Sequence, residues 1–290
     1  MKVSYYPGCS LEGTARSYDI SARRICRSLG IALEEVPEWC CCGSSPALKM
    51  DRLMSTALSA QNLVQIEKQA VEQVVIPCPF CFRRLLSAQD EMKADVALKE
   101  RVQKIIQADM AGALQIRNLL GFLRYQVGLE AIGAQVTQPL SGLKLLPYYG
   151  CYLVKPTGVT HFDDPEHPVS LDELLAALGA DVLSWDLKTE CCGAGLSLSK
   201  TEVVVDLTGR LIREAVRQGA DALVVACQLC QANLDMRQAE ISRVEGKAYA
   251  LPIIYFTQLM GLAFGHPARI LGLNHHLVDP LPLLKEKGFA

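Results

Sequence analysis

The chain carries one cysteine pattern twice, and this duplication constrains its fold more than any other feature of the 290 residues. Three segments of the first half return in the same order in the second half. They are "SYYPGCS" (4–10), "EWCCCGSSPAL" (38–48) and "VVIPCPFCFRRL" (74–85), matched by "PYYGCYL" (147–153), "TECCGAGLSLS" (189–199) and "LVVACQLCQANL" (223–234). A period of about 145 residues is far longer than a solenoid repeat and indicates a duplicated domain. A Gly/Pro/Ser stretch at 137–144 marks the boundary, so we predict halves at 1–141 and 142–290.

Short apolar runs alternate with helical patterns in each half. The predicted strands are 2–6, 32–36, 73–77, 143–149, 181–185 and 222–226. The predicted helices are 17–30, 44–69, 170–179 and 199–219. Apolar strands that alternate with helices are typical of small parallel sheets. The expected fold class is therefore α/β, with two duplicated halves related by a pseudo-twofold axis and with sites between them at the carboxyl ends of the strands.

The cysteines of each half follow its predicted strands. A single Cys and a Cys-x-x-Cys pair come just after the first and third strands, and a Cys-Cys-Gly comes after the second. Because the carboxyl ends of parallel strands meet at one sheet edge, five thiols should converge in each half. The two sets are Cys9, Cys41, Cys42, Cys78 and Cys81, and Cys151, Cys191, Cys192, Cys227 and Cys230.

Iron–sulfur clusters explain five converging thiols better than other uses of cysteine. The chain has twelve cysteines and no apolar leader with a cleavage site at its start, so structural disulfides are not expected. Structural zinc takes four ligands, fewer than the five thiols aligned here. Zinc binding and disulfide exchange by the Cys-x-x-Cys pairs remain alternatives. Gly43 and Gly193 would let backbone N–H groups approach a sulfide, although a glycine also suits an ordinary turn into a helix.

The duplication separates two cysteines from the other ten. Cys40 aligns with Glu190, so its position is not a ligand position in the second half. Cys26 aligns with Leu175 on the first predicted helix, which indicates a small apolar packing residue. We predict that neither thiol binds a cluster.

Composition and motifs argue against several other classes of function. The net charge of -2 provides no basic field for nucleic acid. No G-x-G-x-x-G follows a predicted strand, so no flavin or nicotinamide site is expected. The apolar stretch 251–265 is shorter than a membrane span and contains Thr257 and Gln258. We therefore expect no transmembrane segment and a cytoplasmic location.

The duplicated pattern resembles that of the cysteine-rich CCG-domain proteins. The segments "YYPGCSLEGTARSYDISARRI", "CPFCFRRL", "YYGCYLVKP" and "LGLNHHLVDPLPLL" are together similar to the B subunits of heterodisulfide reductases. This resemblance covers essentially the whole chain. It implies a catalytic subunit of a methanogenesis-related oxidoreductase, which cleaves the coenzyme M–coenzyme B heterodisulfide or an analogous disulfide to two thiols.

The resemblance also implies a set of cofactors and partners. Each half would bind one noncubane [4Fe-4S] cluster through its five aligned cysteines, so all ten cysteines named above would be cluster ligands. Two clusters match the two electrons that cleavage of one disulfide takes. The implied partners are a ferredoxin-like iron–sulfur subunit and a flavin subunit of a heterodisulfide reductase complex, which would deliver electrons.

The anionic substrate implied by the resemblance should meet cationic side chains. The candidates are Lys49, Lys155, Lys200 and His161. Each of them also fits the description of a solvated surface charge. The apolar segments 116–133 and 252–265 are candidate docking helices for a partner, with core packing as the alternative.

Two other classes of protein fit part of the pattern. Iron–sulfur electron-transfer subunits of lactate, glycerol-3-phosphate or succinate/fumarate oxidoreductases resemble the chain in both cysteine motifs. Those proteins often carry a fused ferredoxin motif, C-x-x-C-x-x-C-x-x-x-C-P, which this chain lacks. A zinc-binding scaffold is the third class, and iron and acid-labile sulfide analysis separates it from the other two.

The alignment of the two halves predicts unequal effects within the run of three cysteines. Cys41→Ala or Cys42→Ala should remove one cluster, whereas Cys40→Ala should leave both intact, because only Cys40 lacks a cysteine counterpart. The measurement is iron and acid-labile sulfide content of anaerobically purified protein. Equal loss of iron from the Cys40 and Cys41 variants would contradict the alignment.

Overall fold

The computed structural model describes residues 1–110 and 114–289 and contains two four-stranded parallel sheets. Their strand orders are β2-β1-β3-β4 and β6-β5-β7-β8, so the same topology occurs twice. The strands are β1 Lys2–Tyr5, β2 Ala32–Glu35, β3 Gln73–Ile76, β4 Gln115–Asn118, β5 Lys144–Tyr148, β6 Asp181–Val182, β7 Ala222–Val225 and β8 Ile253–Tyr255. The predicted α/β class with duplicated parallel sheets is confirmed.

Helices cover both faces of these sheets. They are α1 Cys9–Glu12, α2 Arg16–Ser28, α3 Pro46–Met50, α4 Arg52–Lys68, α5 Pro79–Ala94, α6 Val96–Ile106, α7 Leu119–Phe122, α8 Leu129–Gly133, α9 Cys151–Val154, α10 Thr157–Thr160, α11 Ser170–Ala177, α12 Thr201–Arg217, α13 Gln228–Met236, α14 Gln238–Glu245, α15 Phe256–Ala263 and α16 Leu281–Glu286. A π-helical turn spans Leu123–Val127, and 3-10 turns span Ala194–Leu196, Ala268–Leu271 and Leu273–His275.

The central strands are buried, as continuous apolar runs predict. β1 pairs with β2 in parallel from Lys2↔Ala32 onward, and β5 pairs with β7 from Leu145↔Ala222 onward. Each sheet gains a fourth strand, β4 or β8, that the sequence analysis did not predict.

One predicted helix is interrupted. The pattern over 44–69 predicted a single helix, but α3 ends at Met50 and α4 begins at Arg52. Asp51 between them has extended backbone, and its side chain accepts a hydrogen bond from the Met54 N–H at 3.0 Å. Asp51 therefore acts as the N-cap of α4 and re-aims the chain there.

The two apolar segments proposed as docking helices belong to the core. Each begins as a strand, β4 or β8, and continues into a helix whose residues are buried, α7 or α15. The docking interpretation is wrong for these buried parts, because a helix that is apolar all round is stable only when covered.

The halves pack against each other through matching elements. Helix α2 of the first half lies against α15, and α11 of the second half lies against α7 and α8. The Ser21 and Thr257 hydroxyls are 2.6 Å apart in the first contact, and the Tyr125 and Ser170 hydroxyls are 2.9 Å apart in the second. The same contact thus forms on both sides of a pseudo-twofold axis.

Close packing around α15 predicts that replacing its glycine, Gly261, by alanine destabilises the protein. A Cβ at Gly261 would lie 2.3 Å from Leu271 Cδ2, so Gly261→Ala should lower the free energy of unfolding by about 1–3 kcal/mol through overpacking. Gly158→Ala is the matched control, since this helical glycine has no atom within 4 Å of the added Cβ. Thermal or urea unfolding followed by circular dichroism measures both, and equal stability of the two variants would contradict the packing argument.

Candidate functional site

The structure brings the cysteine motifs of each half to the carboxyl ends of its strands. α1 begins at Cys9 after β1, and α5 follows Cys78 after β3. The second half repeats this arrangement, since α9 begins at Cys151 after β5 and α13 follows Cys227 after β7. All twelve cysteines are free thiols.

Sulfur atoms are close together in the second half. The Sγ atoms of Cys151 and Cys191 are 3.9 Å apart, and those of Cys192 and Cys230 are 3.5 Å apart. Cys230 also shares a hydrogen bond with the Cys227 thiol. Cys192, Cys227 and Cys230 are buried, whereas Cys191 is exposed. The five predicted positions of this half therefore form one group with an open side.

The first half repeats this grouping. The Cys42 sulfur is hydrogen-bonded to the thiols of Cys41 and Cys81, and the Cys81 N–H donates to Cys78 Sγ at 3.4 Å. Cys9 lies near enough to Cys41 to act on its ionisation. Cys9 and Cys41 are exposed, so this group also has a solvent-facing side.

These contacts favour a thiolate at Cys42 in the first Cys-Cys pair and at both cysteines of the second pair. Hydrogen bonds from the Cys41 and Cys81 thiols lower the pKa of Cys42, and the charge of Arg84 adds to that effect. In the second half, hydrogen bonds from Cys230 and Cys151 lower the pKa of Cys192 and Cys191, respectively. Because metal ligation requires the deprotonated thiol, both groups are electrostatically suited to it.

Two glycines make room for this crowding. Gly8 and Gly150 directly precede the single cysteines and have φ angles of 76° and 67°. A Cβ at Gly8 would lie 2.8 Å from Cys81 Sγ, and a Cβ at Gly150 would lie 2.8 Å from Cys230 Sγ. Glycine is therefore required at both positions for backbone conformation and for the approach of a sulfur atom.

The glycines of the Cys-Cys-Gly motifs have a mixed role. Gly43 and Gly193 have left-handed φ angles of 75° and 76°, as a turn into a helix requires. The Gly193 N–H also donates to Cys191 Sγ at 3.3 Å. A Cβ at Gly43 would be 3.2 Å from the Ser55 backbone of α4. Both the turn and the approach of an N–H group to sulfur thus contribute to the choice of glycine.

Cys40 is anchored mainly through its backbone, and its sulfur is near enough to Cys42 for that thiol to act on its ionisation. Its N–H donates to Asn62 Oδ1 at 2.8 Å, and its carbonyl accepts from the Tyr6 hydroxyl at 2.6 Å. Its sulfur lies 3.9 Å from the Leu58 carbonyl of α4. The second half has the equivalent of the Tyr6 hydrogen bond, since the Tyr148 hydroxyl donates to the Glu190 carbonyl at 2.7 Å. Position 40 is therefore held through its backbone.

Cys26 packs in the core of α2. Its side chain is completely buried, and burial raises the pKa of its thiol to about 12. This environment suits an inert apolar packing residue, in agreement with its alignment to a leucine.

The two cysteine groups face each other across the pseudo-twofold axis. The Tyr18 hydroxyl lies 3.5 Å from the Pro77 carbonyl oxygen and 3.3 Å from the Ala226 carbonyl oxygen. These two carbonyls directly precede Cys78 and Cys227. One hydroxyl thus reaches both Cys-x-x-Cys segments.

Aromatic rings close the contact between the groups. Phe80, inside the first Cys-x-x-Cys, stacks on Tyr152, the residue after Cys151, with ring centroids 4.0 Å apart. The Arg83 guanidinium lies over the same Tyr152 ring at 4.4 Å. The two groups therefore share an apolar wall built by both halves.

A cavity of about 330 Å³ opens onto the second group. All five second-half thiols line it with Phe80, Tyr152 and Leu207, and Lys49 supplies its cationic side chain. Lys49 comes from α3 of the first half, so the cavity is built by both halves. Of the four cationic candidates, Lys49 is the one that the structure brings to this cavity.

The other three cationic candidates have different surroundings. Lys155 forms an ion pair with Glu166, with N···O at 3.0 Å. Lys200 is exposed at the start of α12, and His161 is exposed with a left-handed backbone. Their roles in binding stay predictions.

Two residues close to the cysteines were missed by the sequence analysis. Gln228 Nε2 donates to Cys78 Sγ across the halves at 2.8 Å. Arg84 is 5% exposed and pairs with Glu91 at 3.0 Å. The aligned repeats contain a signal for both, because Gln228 stands opposite Pro79 and Arg84 opposite Asn233.

The donor chemistry fits an iron–sulfur group. The ten grouped ligand candidates are all sulfur, thiolate-favouring hydrogen bonds reach Cys42, Cys191 and Cys192, and two glycines leave space that a Cβ would fill. Across residues 1–110 and 114–289, no group of three or more His, Cys, Asp or Glu side chains is arranged to hold a single metal ion. The fit therefore rests on the character and crowding of the thiols.

Comparison with known families and structures agrees with the duplication. The sequence profile of the cysteine-rich domain, CCG, matches residues 3–85 and again residues 146–235. A structure described as a hypothetical protein from Helicobacter pylori superimposes with a TM-score of 0.74 over 96% of this chain, at 13% sequence identity. The match covers 52% of that longer chain, so it bears on the fold alone.

Two curated relatives align over nearly their full lengths. The chain is 31% identical to the 8-methylmenaquinol:fumarate reductase membrane anchor subunit of Wolinella succinogenes, over 97% of this chain and 99% of that one. It is 28% identical to the B subunit of the ferredoxin:CoB-CoM heterodisulfide reductase of Methanosarcina mazei, over 98% and 96%, respectively. Among the helices that the structure describes, none is long and apolar enough to span a bilayer.

The close approach of a cysteine sulfur to Gly8 and to Gly150 predicts that a side chain at either glycine lowers the metal content. If each half holds one cluster, as the duplicated cysteines predict, Gly8→Ala should leave about half of the iron and sulfide, because the new Cβ displaces the Cys81 sulfur. Gly128→Ala is the matched control: Gly128 also has positive φ, 87°, and also precedes a helix, but no atom lies within 4 Å of its added Cβ. Iron content measures the difference, and equal loss in both variants would point to backbone strain alone.

Proposed function

The chain belongs to the family of cysteine-rich CCG-domain proteins, and on that basis we propose that it is the catalytic subunit of a disulfide reductase of the heterodisulfide reductase type. The observation that carries the proposal is the pair of five-thiol groups held opposite each other, with a cavity that both halves build at the second group. The relative from Methanosarcina mazei supports the same reaction class.

We propose that each half holds one noncubane [4Fe-4S] cluster, with residues 1–141 and 142–290 as the two units. The ligands of the first would be Cys9, Cys41, Cys42, Cys78 and Cys81, and those of the second Cys151, Cys191, Cys192, Cys227 and Cys230. When bound, each cluster supplies one electron and an iron Lewis acid beside the substrate.

The overall reaction adds two electrons and two protons to R–S–S–R′ and releases RSH and R′SH. The protein would hold the disulfide between the two thiol groups, where Phe80 and Tyr152 form an apolar wall. Exclusion of water by this wall strengthens electrostatic interactions with the forming thiolates.

Charge indicates the side from which an anionic disulfide enters. The cavity at the second group carries Lys49, which has no ion-pair partner in the described part of the chain. The hollow beside Cys9 carries Glu12, Glu35 and Glu38 instead. Carboxylates repel an anion, so the substrate would approach along the Lys49 side.

Electrons would come from partner subunits. The chain has no G-x-G-x-x-G after a strand, so a flavin on this chain is not expected. We propose a ferredoxin-like iron–sulfur subunit as the direct donor and a flavin subunit behind it. The names of the relatives as subunits support assembly into a complex of this kind.

A second candidate function is an electron-transfer subunit of a quinol:fumarate reductase. The 31% identity to the anchor subunit from Wolinella succinogenes favours it. In that case the same cysteine groups would relay electrons, and the cavity would bind no disulfide.

Thiol release separates the two candidates. The anaerobically purified chain is reduced with dithionite and reduced methyl viologen and is then mixed with an anionic disulfide. Two thiols per disulfide support the reductase, whereas reduced clusters without thiol release support the relay. Absence of iron and sulfide would contradict both functions.

Lys49 provides a test of the binding side. Lys49→Met should raise KM for an anionic disulfide about ten- to hundredfold, since a hydrogen bond to a charged group contributes about 1.5–3 kcal/mol and about 1.4 kcal/mol is tenfold. KM for a neutral disulfide should stay unchanged, and Lys49→Arg should restore most of the binding. Lys104→Met, at an exposed lysine of α6, is the control. An equal rise for both substrates would contradict a charge-based role.

A further inference from the structure

The two cysteine groups differ in the polar groups that reach their sulfur atoms. Some features are common to both halves: the Tyr6 and Tyr148 hydroxyls brace matching backbone carbonyls, and both Cys-Cys pairs receive backbone N–H groups from the turn that follows. These matched features give the two groups a similar electrostatic baseline. The groups also differ in nearby charges, with Lys49 beside the second group and Glu12, Glu35 and Glu38 beside the first. These four side chains are exposed, so solvent screens their charges. The buried differences lie in the Cys-x-x-Cys segments and in the helices that follow them.

Gln228 creates the first difference. Its side chain is 3% exposed, and its Nε2 lies 2.8 Å from Cys78 Sγ of the opposite half. A thiolate sulfur has no proton to donate, so the amide must present its NH₂ group to it. The Gln228 Oε1 has no hydrogen-bond partner among the described residues, which leaves the N–H···S contact as the polar role of this side chain.

The matching position in the first half cannot form such a contact. Pro79 aligns with Gln228 and has no polar side chain. Cys78 Sγ also accepts the Cys81 N–H as a helix cap, whereas Cys227 makes no side-chain cap hydrogen bond. Two N–H groups thus reach the Cys78 sulfur.

Arg84 creates the second difference. Its guanidinium is buried between Thr56 at 3.2 Å and Glu91 at 3.0 Å, and Glu91 also pairs with Arg52. The positive charge is therefore only partly compensated. Asn233, at the matching position in the second half, is neutral and donates to the Cys192 carbonyl at 3.0 Å.

We propose that Gln228 and Arg84 make the first-half iron–sulfur site the easier one to reduce, so that the first electron resides there. The inference rests on the iron–sulfur part of the proposed function. A donor or a cation beside a cluster sulfur stabilises the more negative, reduced state and raises the reduction potential. Gln228 is a positioning residue in this role: the electron comes from an external one-electron donor, and no bond is made or broken.

The test is a redox titration of the full chain with its clusters, followed by electron paramagnetic resonance. The wild type should show two one-electron waves. Cys191→Ala, which removes a second-half ligand, should retain the wave of higher potential. Gln228→Met is a nearly isosteric change that removes the N–H donor. In this variant the reduction potential of the higher wave should fall by about 59 mV, which is a tenfold change in the one-electron equilibrium, while the potential of the lower wave stays unchanged.

The controls separate this effect from general perturbation. Gln231→Met lies one turn later on α13, bonds to Asp235 and His276, and should move neither wave. Arg84→Lys should keep the higher wave near its wild-type place, and Arg84→Met should lower it. Unmoved waves in Gln228→Met, or equal shifts of both waves, would overturn the proposal.

The reciprocal variant decides the question if Gln228→Met does not retain its iron. Pro79→Gln places an amide donor at the matching position beside Cys227 and should raise the lower wave. An unchanged gap between the waves would overturn the inference. Iron and sulfide analysis of the same samples distinguishes failure of this inference from failure of the proposed function. Absence of iron in the wild type would contradict the proposed function itself.

Discussion

The hydroxyl of Tyr18 links the two halves at the position on which the site depends. It is 1% exposed and lies within 3.5 Å of the carbonyl oxygens of both Pro77 and Ala226. Those carbonyls end the strands that deliver Cys78 and Cys227, so a displacement of either half would separate the two thiol groups. The Tyr18 ring on α2 stacks on Tyr255 at the end of β8, with centroids 4.4 Å apart, which fixes its orientation.

Much of the fold could be predicted from the sequence because its signals are local. Continuous apolar runs mark the two central strands of each half, β1 and β3 or β5 and β7, and the repeated cysteines align the halves. β4 and β8 were missed because each runs directly into a helix, so strand and helix form one apolar stretch in the sequence. The break at Asp51 was missed because the helical pattern continues through it, and a cap is recognised by its backbone geometry.

For the candidate site, the arrangement within each half could be predicted from the sequence, but the contacts between the halves could not. The grouping of thiols within each half follows from strand ends, a property that sequence order contains. The contact of Gln228 with Cys78 and the position of Lys49 at the opposite cavity depend on how the halves are placed relative to each other. Hydrophobic periodicity does not encode that placement. The sequence indicates such contacts between the halves only where aligned positions of the two repeats differ, as proline and glutamine do at 79 and 228.

The shared cavity has a consequence for the origin of the chain. Lys49 and Phe80 line a cavity whose cysteines belong to the other half, so one half alone does not enclose it. An ancestor with a single copy of the repeat would have formed the cavity between two identical subunits. Identical subunits must present the same side chain at both matching positions. Fusion into one gene removes that requirement, and a proline at 79 with a glutamine at 228 is a broken symmetry that only the fused chain can inherit.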